Sequence, residues 1–394
     1  MKKILLAMFA LLPGLMFAGD EFVMKGTITG LPDSCKISLA LADADQGQEN
    51  DTALVTMPAS ETFTIKSKLA GPTMLKFMVT EFNQEYGMDV PVMGFSFMAG
   101  NETVELPTVA FSQLLEYQKD NLVDEKVTLK AGKLQAQYKE YLALLQPDKE
   151  RINSIYAVGR DKLILAAYGM IDAKDDSVVM FRNQLDECDK SIANKKRAFM
   201  KSHPDYAITA LLVSRDLHSE YQLTVEEIDE LAKLVAGNAD TRRLAIIEQN
   251  LAYAKKFAIG SPWGNEAVTM ADGEVKTLQQ LTNKGGLTIF DCWASWCGPC
   301  RMAIPKVKAI SEKYASRLKV NSISCDQKED DWRKAMDEEK MPWPQAIVTK
   351  EQMMPFMTAY NITTIPRLIL VKDNKIMVST NDPAEIEAFI ETDK

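Results

Sequence analysis

The chain has 394 residues, of which 46% are hydrophobic and 26% charged, and its formal net charge is −9. This length exceeds what one hydrophobic core usually holds, so we expect two or three domains. The acidic balance offers no basic stripe of the kind that nucleic-acid-binding proteins carry, and we expect no nucleic-acid partner.

The first residues predict a secretory signal peptide. Lys2 and Lys3 precede the uncharged run 4–17, and Ala18 supplies a small residue near the cleavage point. The run is shorter than the roughly 20 apolar residues of a membrane span. We therefore expect residues 1–18 to be a signal peptide, and the mature protein to be soluble in the periplasm or cell envelope, where disulfides persist.

Residues 20–110 alternate apolar and polar positions. Phe63 and Ile65 alternate with Thr64 and Lys66, and the run 35–41 has the same period of two. Glycine and Pro-Asp pairs separate these runs. The pattern predicts an antiparallel, β-sandwich-like domain with one buried face.

Residues 111–259 change to a helical period. One helix face is marked by apolar residues spaced by four, three and four positions: Phe181, Leu185, Cys188 and Ile192. Thr224 and Glu227 form a capping-box pattern at the start of another helix. Pro147 and Pro204 are expected to divide this helical middle region into several helices.

Residues 260–394 alternate strand and helix signals, as α/β domains do. We expect strands near 287–293, 318–325, 367–372 and 375–379, and helices near 298–316, 329–339, 351–359 and 383–392. The chain is thus predicted to be multidomain, with a β-domain, a helical middle and a C-terminal α/β domain.

The segment Trp296-Cys297-Gly298-Pro299-Cys300 lies between the apolar run 287–290 and a predicted helix. Two thiols separated by two residues can close into a disulfide and open again, and a strand-to-helix context favours redox chemistry. Zinc sites use the same spacing, but no second such pair or nearby histidine completes a ligand set. His203 and His218 lie far upstream in sequence. We expect neither a metal nor a cofactor.

The three groups needed for disulfide exchange are present. Cys297 would lie exposed at a helix N-terminus, where backbone N–H groups lower the pKa of a thiol from about 8.5 towards roughly 7. Cys300 would be more buried and stay protonated. Asp291 falls inside an apolar strand, where desolvation raises the pKa of a carboxyl and makes it a usable base. The alternative for Asp291 is a solvent-facing position at the edge of a strand.

These residues resemble the active site of the thioredoxin superfamily, in particular its TlpA/ResA-type branch. The resemblance covers residues from about 260 to 394 and rests on these positions: Asp291, Trp293, Trp296, Cys297, Gly298, Pro299, Cys300, Pro305 and Pro366. It implies a thioredoxin fold and a redox disulfide between Cys297 and Cys300. It also implies a cis Ile365–Pro366 bond, with a substrate-binding surface at Trp296, Gly298, Pro299, Ile365 and Pro366. Upstream, residues 26–30 and the Phe63 strand resemble a β-domain of unknown function that often precedes such domains in exported bacterial proteins.

Two positions depart from the family pattern. Arg367 follows Pro366, where thioredoxins usually carry threonine; it places a cation beside the site or is a solvated surface arginine. Cys292 follows Asp291 and should point to the opposite face of the strand, into the core. Cys35, Cys188 and Cys325 are expected to be small buried apolar residues, and a Cys292–Cys325 bridge is disfavoured by disulfide geometry.

The expected function is that of an exported thiol–disulfide oxidoreductase that reduces disulfides of envelope proteins. By the resemblance, Gly298 and Pro299 between the cysteines favour a reducing pair. Its partners would be protein disulfides and a membrane-bound thiol electron donor. A disulfide isomerase, or a partner-binding or assembly protein whose thioredoxin domain is a delivery module, stays open, as does a homodimer formed through the upstream domains.

Overall fold

The computed structural model describes residues 21–42, 53–119, 121–167, 170–171, 175–217 and 223–393. The predicted signal peptide and His218 lie outside these ranges. The chain divides into two compact units, Met1–Val158 with Asn183–Ser214 and Leu234–Ile246, and Gly159–Arg182 with Arg215–Lys233 and Ile247–Lys394. The predicted helical region contributes to both units, and the domain boundaries inferred from the sequence stay predictions. Within the described ranges, none of the helices combines the length and the apolar composition needed to cross a bilayer.

The N-terminal domain is built from two small β-sheets. Its strands are β1 (Phe22–Thr29), β2 (Cys35–Leu41), β3 (Ala53–Pro58), β4 (Thr62–Ser67), β5 (Thr73–Asn83), β6 (Met88–Ala99) and β7 (Thr103–Ala110). One sheet has the order β4-β1-β7 and the other β3-β2-β5-β6. Buried side chains from both sheets, including Phe63, Phe77 and Phe95, form one apolar cluster.

The predicted β-domain is confirmed, and its strand pairs are antiparallel with one exception. The β1–β7 pair is parallel. A period of two in the sequence indicates that a strand has one buried face but carries no information on the direction of its neighbour. Five other strands lie between β1 and β7 along the chain, so no short hairpin connects the two and forces them to run in opposite directions.

The helices that follow are α1 (Phe111–Lys119), α2 (Val123–Lys126), α3 (Lys133–Ala167), α4 (Asp176–Ser202), α5 (Ala207–Asp216), α6 (Val225–Val235) and α7 (Thr241–Ala254). Cys188 and Phe181 are buried on α4, as the apolar spacing predicted. The capping box before α6 is also present, since the Thr224 N–H donates to Glu227 at 2.9 Å and the Glu227 N–H donates to Thr224 Oγ1 at 3.1 Å.

One prediction for this region is wrong. Pro147 lies inside α3 and does not divide it, whereas Pro204 falls between α4 and α5 as expected. A proline in a helix interior costs about 3 kcal/mol because it removes a donor and crowds the preceding turn. Buried residues of α3 before and after Pro147, such as Leu145 and Ile155, stabilise the helix through packing that the local pattern does not show.

The C-terminal domain is a mixed sheet flanked by helices. Its elements are β8 (Ala267–Met270), β9 (Val275–Thr277), α8 (Leu278–Leu281), β10 (Leu287–Trp293), α9 (Gly298–Lys313), β11 (Leu318–Ser324), α10 (Glu329–Glu339), β12 (Gln345–Ile347), α11 (Lys350–Ala359), β13 (Arg367–Lys372), β14 (Lys375–Thr380) and α12 (Pro383–Thr392). The strand order is β14-β13-β10-β11-β12-β8-β9. The predicted α/β domain is confirmed, and every residue of β10 is buried because neighbouring strands and packed layers enclose it.

Candidate redox site

One face of β10 leads directly to the cysteine pair. Ile289 packs in a cluster with Val307 of α9, and Trp293 packs in a cluster with Cys300 at the start of the same helix. Alternate residues of a strand share a face. Asp291 therefore lies between Ile289 and Trp293 on the side of the sheet that α9 covers.

Cys297 and Cys300 form a disulfide at the N-terminus of α9. Cys297 is the N-cap residue, and the Cys300 N–H donates to the Cys297 Sγ at 3.1 Å. Free N–H groups in the first turn stabilise negative charge, because they have no partner within the helix. The helix terminus thus points a backbone donor at the sulfur that would become a thiolate after reduction.

The expected exposure of Cys297 is not found in the disulfide form. Cys297 is 4% exposed and Cys300 is 2% exposed. The Cys297 Sγ lies 3.7 Å from the carbonyl oxygen of Ile365, so the loop before β13 covers it. The family resemblance implied that the Ile365–Pro366 segment lies against the disulfide, although Ile365 is 68 positions away from Cys297 in sequence.

The surface around the disulfide is made by the other residues of the predicted substrate-binding set. Trp296 is 69% exposed, Gly298 and Pro299 are exposed, and Ile365 and Pro366 are half-buried. The Ile365–Pro366 bond is cis, as the resemblance implied. A chain that approaches the disulfide therefore meets an apolar side chain on one side and the Ile365 loop near the sulfur.

Asp291 is enclosed by the protein and is 3% exposed, so the solvent-facing alternative is wrong. Its carboxylate accepts one hydrogen bond, from the Ser322 hydroxyl at 2.8 Å. Burial raises the pKa of Asp291 to about 6, and the hydrogen bond from Ser322 opposes that rise. A carboxyl with this pKa changes protonation close to neutral pH, which suits an acid–base group.

Ser322 and Trp343 were not among the residues predicted for the site. Ser322 of β11 is in register with Asp291 of β10, and the indole Nε1–H of Trp343 donates to the Ser322 Oγ at 2.8 Å. A serine inside an apolar strand carries no motif of its own. Strand pairing is the signal that could have found it, because the position opposite Asp291 on a neighbouring strand shares its face.

A second buried carboxylate, that of Asp326, holds the loop before Cys297. It accepts hydrogen bonds from the Ser295 N–H at 2.9 Å, the Ser295 hydroxyl at 2.6 Å and the Ser324 hydroxyl at 2.7 Å. Ser295 precedes Cys297 by two residues. The end of β11 therefore fixes the backbone that carries the cysteine, which the sequence did not indicate.

The remaining cysteines are free and buried: Cys35, Cys188, Cys292 and Cys325. Burial raises the pKa of each thiol, that of Cys325 to about 12. The expected inward direction of Cys292 is confirmed, and no bridge joins Cys292 to Cys325. The surface interpretation of Arg367 is wrong: it is buried and lies opposite Cys292 on β13, because β13 is covered on both faces.

Metal-ligating side chains do not cluster at this site. Across the described ranges, no group of three or more His, Cys, Asp or Glu residues is arranged to hold an ion. His203 belongs to the first compact unit, where its ring stacks on Tyr206. The polar and redox-active groups that the structure places at the site are the two sulfurs, the Asp291 carboxylate and the backbone N–H groups of α9.

The Thioredoxin-like family model matches residues 285–377, which span β10, α9 and the Ile365 loop. The C-terminal domain is thioredoxin-like. Among curated relatives, the thioredoxin of Porphyra purpurea is 48% identical over 48 residues, which is 12% of this chain and 45% of that protein. The thioredoxin of Pseudomonas aeruginosa is 25% identical over 116 residues, 29% of this chain and 84% of that protein. The chain spans about half the length of the first curated relatives it matches, 45% and 55%.

Several solved structures similar to the thioredoxin-like domain come from Bacteroides species. The thioredoxin domain of a thiol-disulfide oxidoreductase from Bacteroides vulgatus is 25% identical, with a TM-score of 0.32, and the match covers 34% of this chain and 98% of that chain. A thioredoxin-like protein from Bacteroides caccae is 18% identical, with a TM-score of 0.42, and covers 57% of this chain and 88% of that chain.

Proposed function

We propose that this protein is an exported thiol–disulfide oxidoreductase that reduces disulfides of envelope proteins through Cys297 and Cys300. One observation carries the proposal: the two cysteines form a disulfide at the N-terminus of α9, beside a buried carboxylate and an exposed apolar surface. The signal-like N-terminus supports export, and the exposed Trp296 supports a protein substrate.

The first step is attack by the reduced form of Cys297. Its thiolate attacks one sulfur of a substrate disulfide, a new bond forms between the Cys297 Sγ and that sulfur, and the other substrate sulfur leaves as a thiolate. The Cys300 N–H, which donates to the Cys297 Sγ, stabilises the attacking charge. A substrate chain lies between Trp296 and the Ile365 loop during this step.

The second step releases the substrate. Asp291 accepts the proton of Cys300, directly or through a water molecule, and the Cys300 thiolate attacks the Cys297 Sγ. The bond to the substrate breaks, the second substrate thiol is freed, and the Cys297–Cys300 disulfide forms. With a pKa of about 6, the Asp291 carboxylate is mostly ionised at neutral pH and can accept that proton.

The product of this cycle is the disulfide form, so two electrons must return before the next turnover. A membrane-bound thiol protein is proposed as the donor, because export removes the protein from the reducing cytosol. The measured reduction potential tests the direction. A value near about −270 mV supports a reductase, whereas a value near about −120 mV contradicts it and indicates disulfide formation.

The roles of the two cysteines are tested by trapping. Cys300→Ser can form the mixed disulfide but not resolve it, so covalent complexes with substrate proteins should accumulate on a non-reducing gel. Cys297→Ser lacks the attacking group and should trap none. Equal trapping by both variants would contradict the assigned roles.

A further inference from the structure

Asp291 does not stand alone in the core, since two side chains from outside β10 form a hydrogen-bonded chain with it. Trp343 Nε1 donates to the Ser322 Oγ at 2.8 Å, and the Ser322 hydroxyl donates to the Asp291 Oδ2 at 2.8 Å. All three residues are buried. We infer that Ser322 and Trp343 are positioning residues that stabilise the ionised Asp291 carboxylate and set the pH at which it accepts a proton, an inference that deepens the function proposed above.

The direction of this chain follows from the donors available. An indole N–H can only donate, and an ionised carboxylate can only accept. Because Trp343 occupies a lone pair of the Ser322 oxygen, the Ser322 hydroxyl hydrogen is free to point at Asp291. The chain therefore favours the charged form of Asp291, since each link polarises the next in the same direction.

Ser322 also has a second acceptor within reach. Its Oγ lies 3.8 Å from the Met341 Sδ. A thioether sulfur is a weak acceptor, so it competes poorly with a carboxylate. Once Asp291 is protonated, its hydroxyl can donate to the Ser322 Oγ and the Ser322 hydroxyl can turn to Met341, so every donor has an acceptor in both protonation states.

Ser322 supplies the polar contact that offsets the desolvation of the Asp291 carboxyl, which has apolar side chains around it. On α9, Ile304 and Val307 are apolar, and Leu368 is the residue opposite Asp291 on β13. The titratable or charged neighbours in the described structure are the thiols of Cys292 and Cys325, with Arg367 opposite Cys292, while the Cys297–Cys300 disulfide does not titrate.

The neighbouring thiols do not change protonation in the pH range in which Asp291 titrates, so they do not interfere with its titration. Burial raises the pKa of Cys292 and raises that of Cys325 to about 12, so both thiols stay neutral there. A change in the protonation midpoint of Asp291 after loss of the Ser322 hydroxyl therefore reports on this hydrogen bond.

The test compares Ser322→Ala, Trp343→Phe and Thr288→Val in the full chain. Thr288→Val is the matched control, because Thr288 is a buried hydroxyl on the opposite face of β10 and accepts from the Asn283 N–H at 2.7 Å. The first readout is the pH midpoint at which Asp291 is half protonated in the oxidised protein. It is measured by NMR of isotope-labelled aspartate carboxyl carbons, and the Asp291 signal is assigned as the one that Asp291→Asn removes.

Ser322→Ala should raise that midpoint by about one pH unit, the size expected for one hydrogen bond to a charged group. Trp343→Phe keeps an aromatic side chain but lacks the N–H donor, and it should raise the midpoint by a smaller amount. Thr288→Val should leave it unchanged. An unchanged midpoint in both Ser322→Ala and Trp343→Phe would overturn the inference, and Trp343→Phe alone decides if Ser322→Ala does not fold.

The second readout separates this inference from the proposed function. Reduced protein is mixed with dithiobis(nitrobenzoate): attack by Cys297 releases one coloured thiolate, and resolution by Cys300 releases the second. The pH profile of the second phase should move with the NMR midpoint. A midpoint that moves while this profile stays fixed would support the inference and contradict the role of Asp291 as the base for Cys300.

Discussion

The thioredoxin-like domain holds two pairs of cysteines in contrasting regions. Cys297 and Cys300 lie at the N-terminus of α9 and form a disulfide, whereas Cys292 of β10 and Cys325 after β11 are free and buried. Both pairs belong to the same compact unit. They differ in the backbone that carries each sulfur, a helix N-terminus in one pair and the sheet in the other.

At the helix terminus, a backbone donor is directed at the sulfur. The Cys300 N–H donates to the Cys297 Sγ, whereas the Cys325 N–H donates to the Trp293 carbonyl oxygen. In the sheet, ladder bonds occupy the N–H groups, so desolvation dominates and raises the pKa of Cys325 to about 12. We therefore expect the reactivity of a thiol in this domain to depend on the backbone N–H groups around its sulfur.

Alkylation of the reduced protein gives the largest expected contrast. A thiol whose pKa lies near about 7 is half ionised at neutral pH, whereas one near about 12 is ionised in about one molecule in 100,000. The thiolate of a more acidic thiol is a weaker nucleophile, which reduces the resulting difference in reaction rate. Cys297 should react with iodoacetamide at least about a hundredfold faster than Cys292 or Cys325, as mass spectrometry of the peptides would measure.

Cys292→Ala and Cys325→Ala are the controls, and both should leave the rate at Cys297 unchanged. Comparable rates at all three thiols in the folded protein would contradict the explanation. Urea should make the alkylation rates of the three thiols similar, because unfolding exposes every thiol and unfolds the N-terminus of α9.

The two buried carboxylates of this domain differ in how many hydrogen bonds they accept. Asp291 accepts one hydrogen bond and Asp326 accepts three. Below about pH 3, Asp291 is protonated in both the folded and the unfolded state and affects stability little. As pH rises, the unfolded carboxyl ionises first near 3.8 and the folded one near 6, so stability falls across this window and the penalty is constant above it.

Asp291→Asn removes this penalty. Relative to the unsubstituted protein, its free energy of unfolding should rise by about 2–3 kcal/mol between about pH 4 and pH 8. Asp326→Asn should instead be destabilising, by about 1–3 kcal/mol, because three donors lose a charged acceptor. All five tryptophans lie between residues 263 and 343, so their fluorescence during urea unfolding follows this domain. Equal effects of the two substitutions would contradict the distinction.

Much of the C-terminal fold could be predicted from local sequence. The expected strand 287–293 matches β10, and the expected helix 329–339 matches α10. Both are long enough to show their period. The short strands β8, β9 and β12 were missed, because three or four residues contain no measurable period, and their pairing comes from distant parts of the chain.

The parts of the site that lie close together in sequence could be predicted, because they form a recognisable local pattern. The spacing of Cys297 and Cys300 predicted a disulfide, and the apolar strand around Asp291 predicted a buried carboxyl; the structure shows both. Their partners come from elsewhere: Ser322 reaches Asp291 through strand pairing, and Asp326 reaches Ser295 across 31 positions. Serine and aspartate are common residues, so only the folded backbone distinguishes these from others.

The smallest expected effect concerns Trp296, which extends the comparison to the surface. Its side chain is 69% exposed, so Trp296→Ala should change the stability of the domain little. An exposed tryptophan beside a reacting sulfur can bury its ring against a bound chain, and such contacts are worth about 1 kcal/mol or more. The KM for a protein disulfide should therefore rise about fivefold to tenfold.

The rate with oxidised glutathione should stay unchanged, since that disulfide is too small to cover the ring and still reach Cys297. Val275→Ala is the matched control, because Val275 is 64% exposed on β9 at the far edge of the sheet. If Trp296→Ala slows both substrates equally, Trp296 acts on the disulfide itself, by covering it or holding its loop. If only the protein substrate is affected, helix backbone and buried carboxylate supply the reactivity, while the exposed ring selects the substrate.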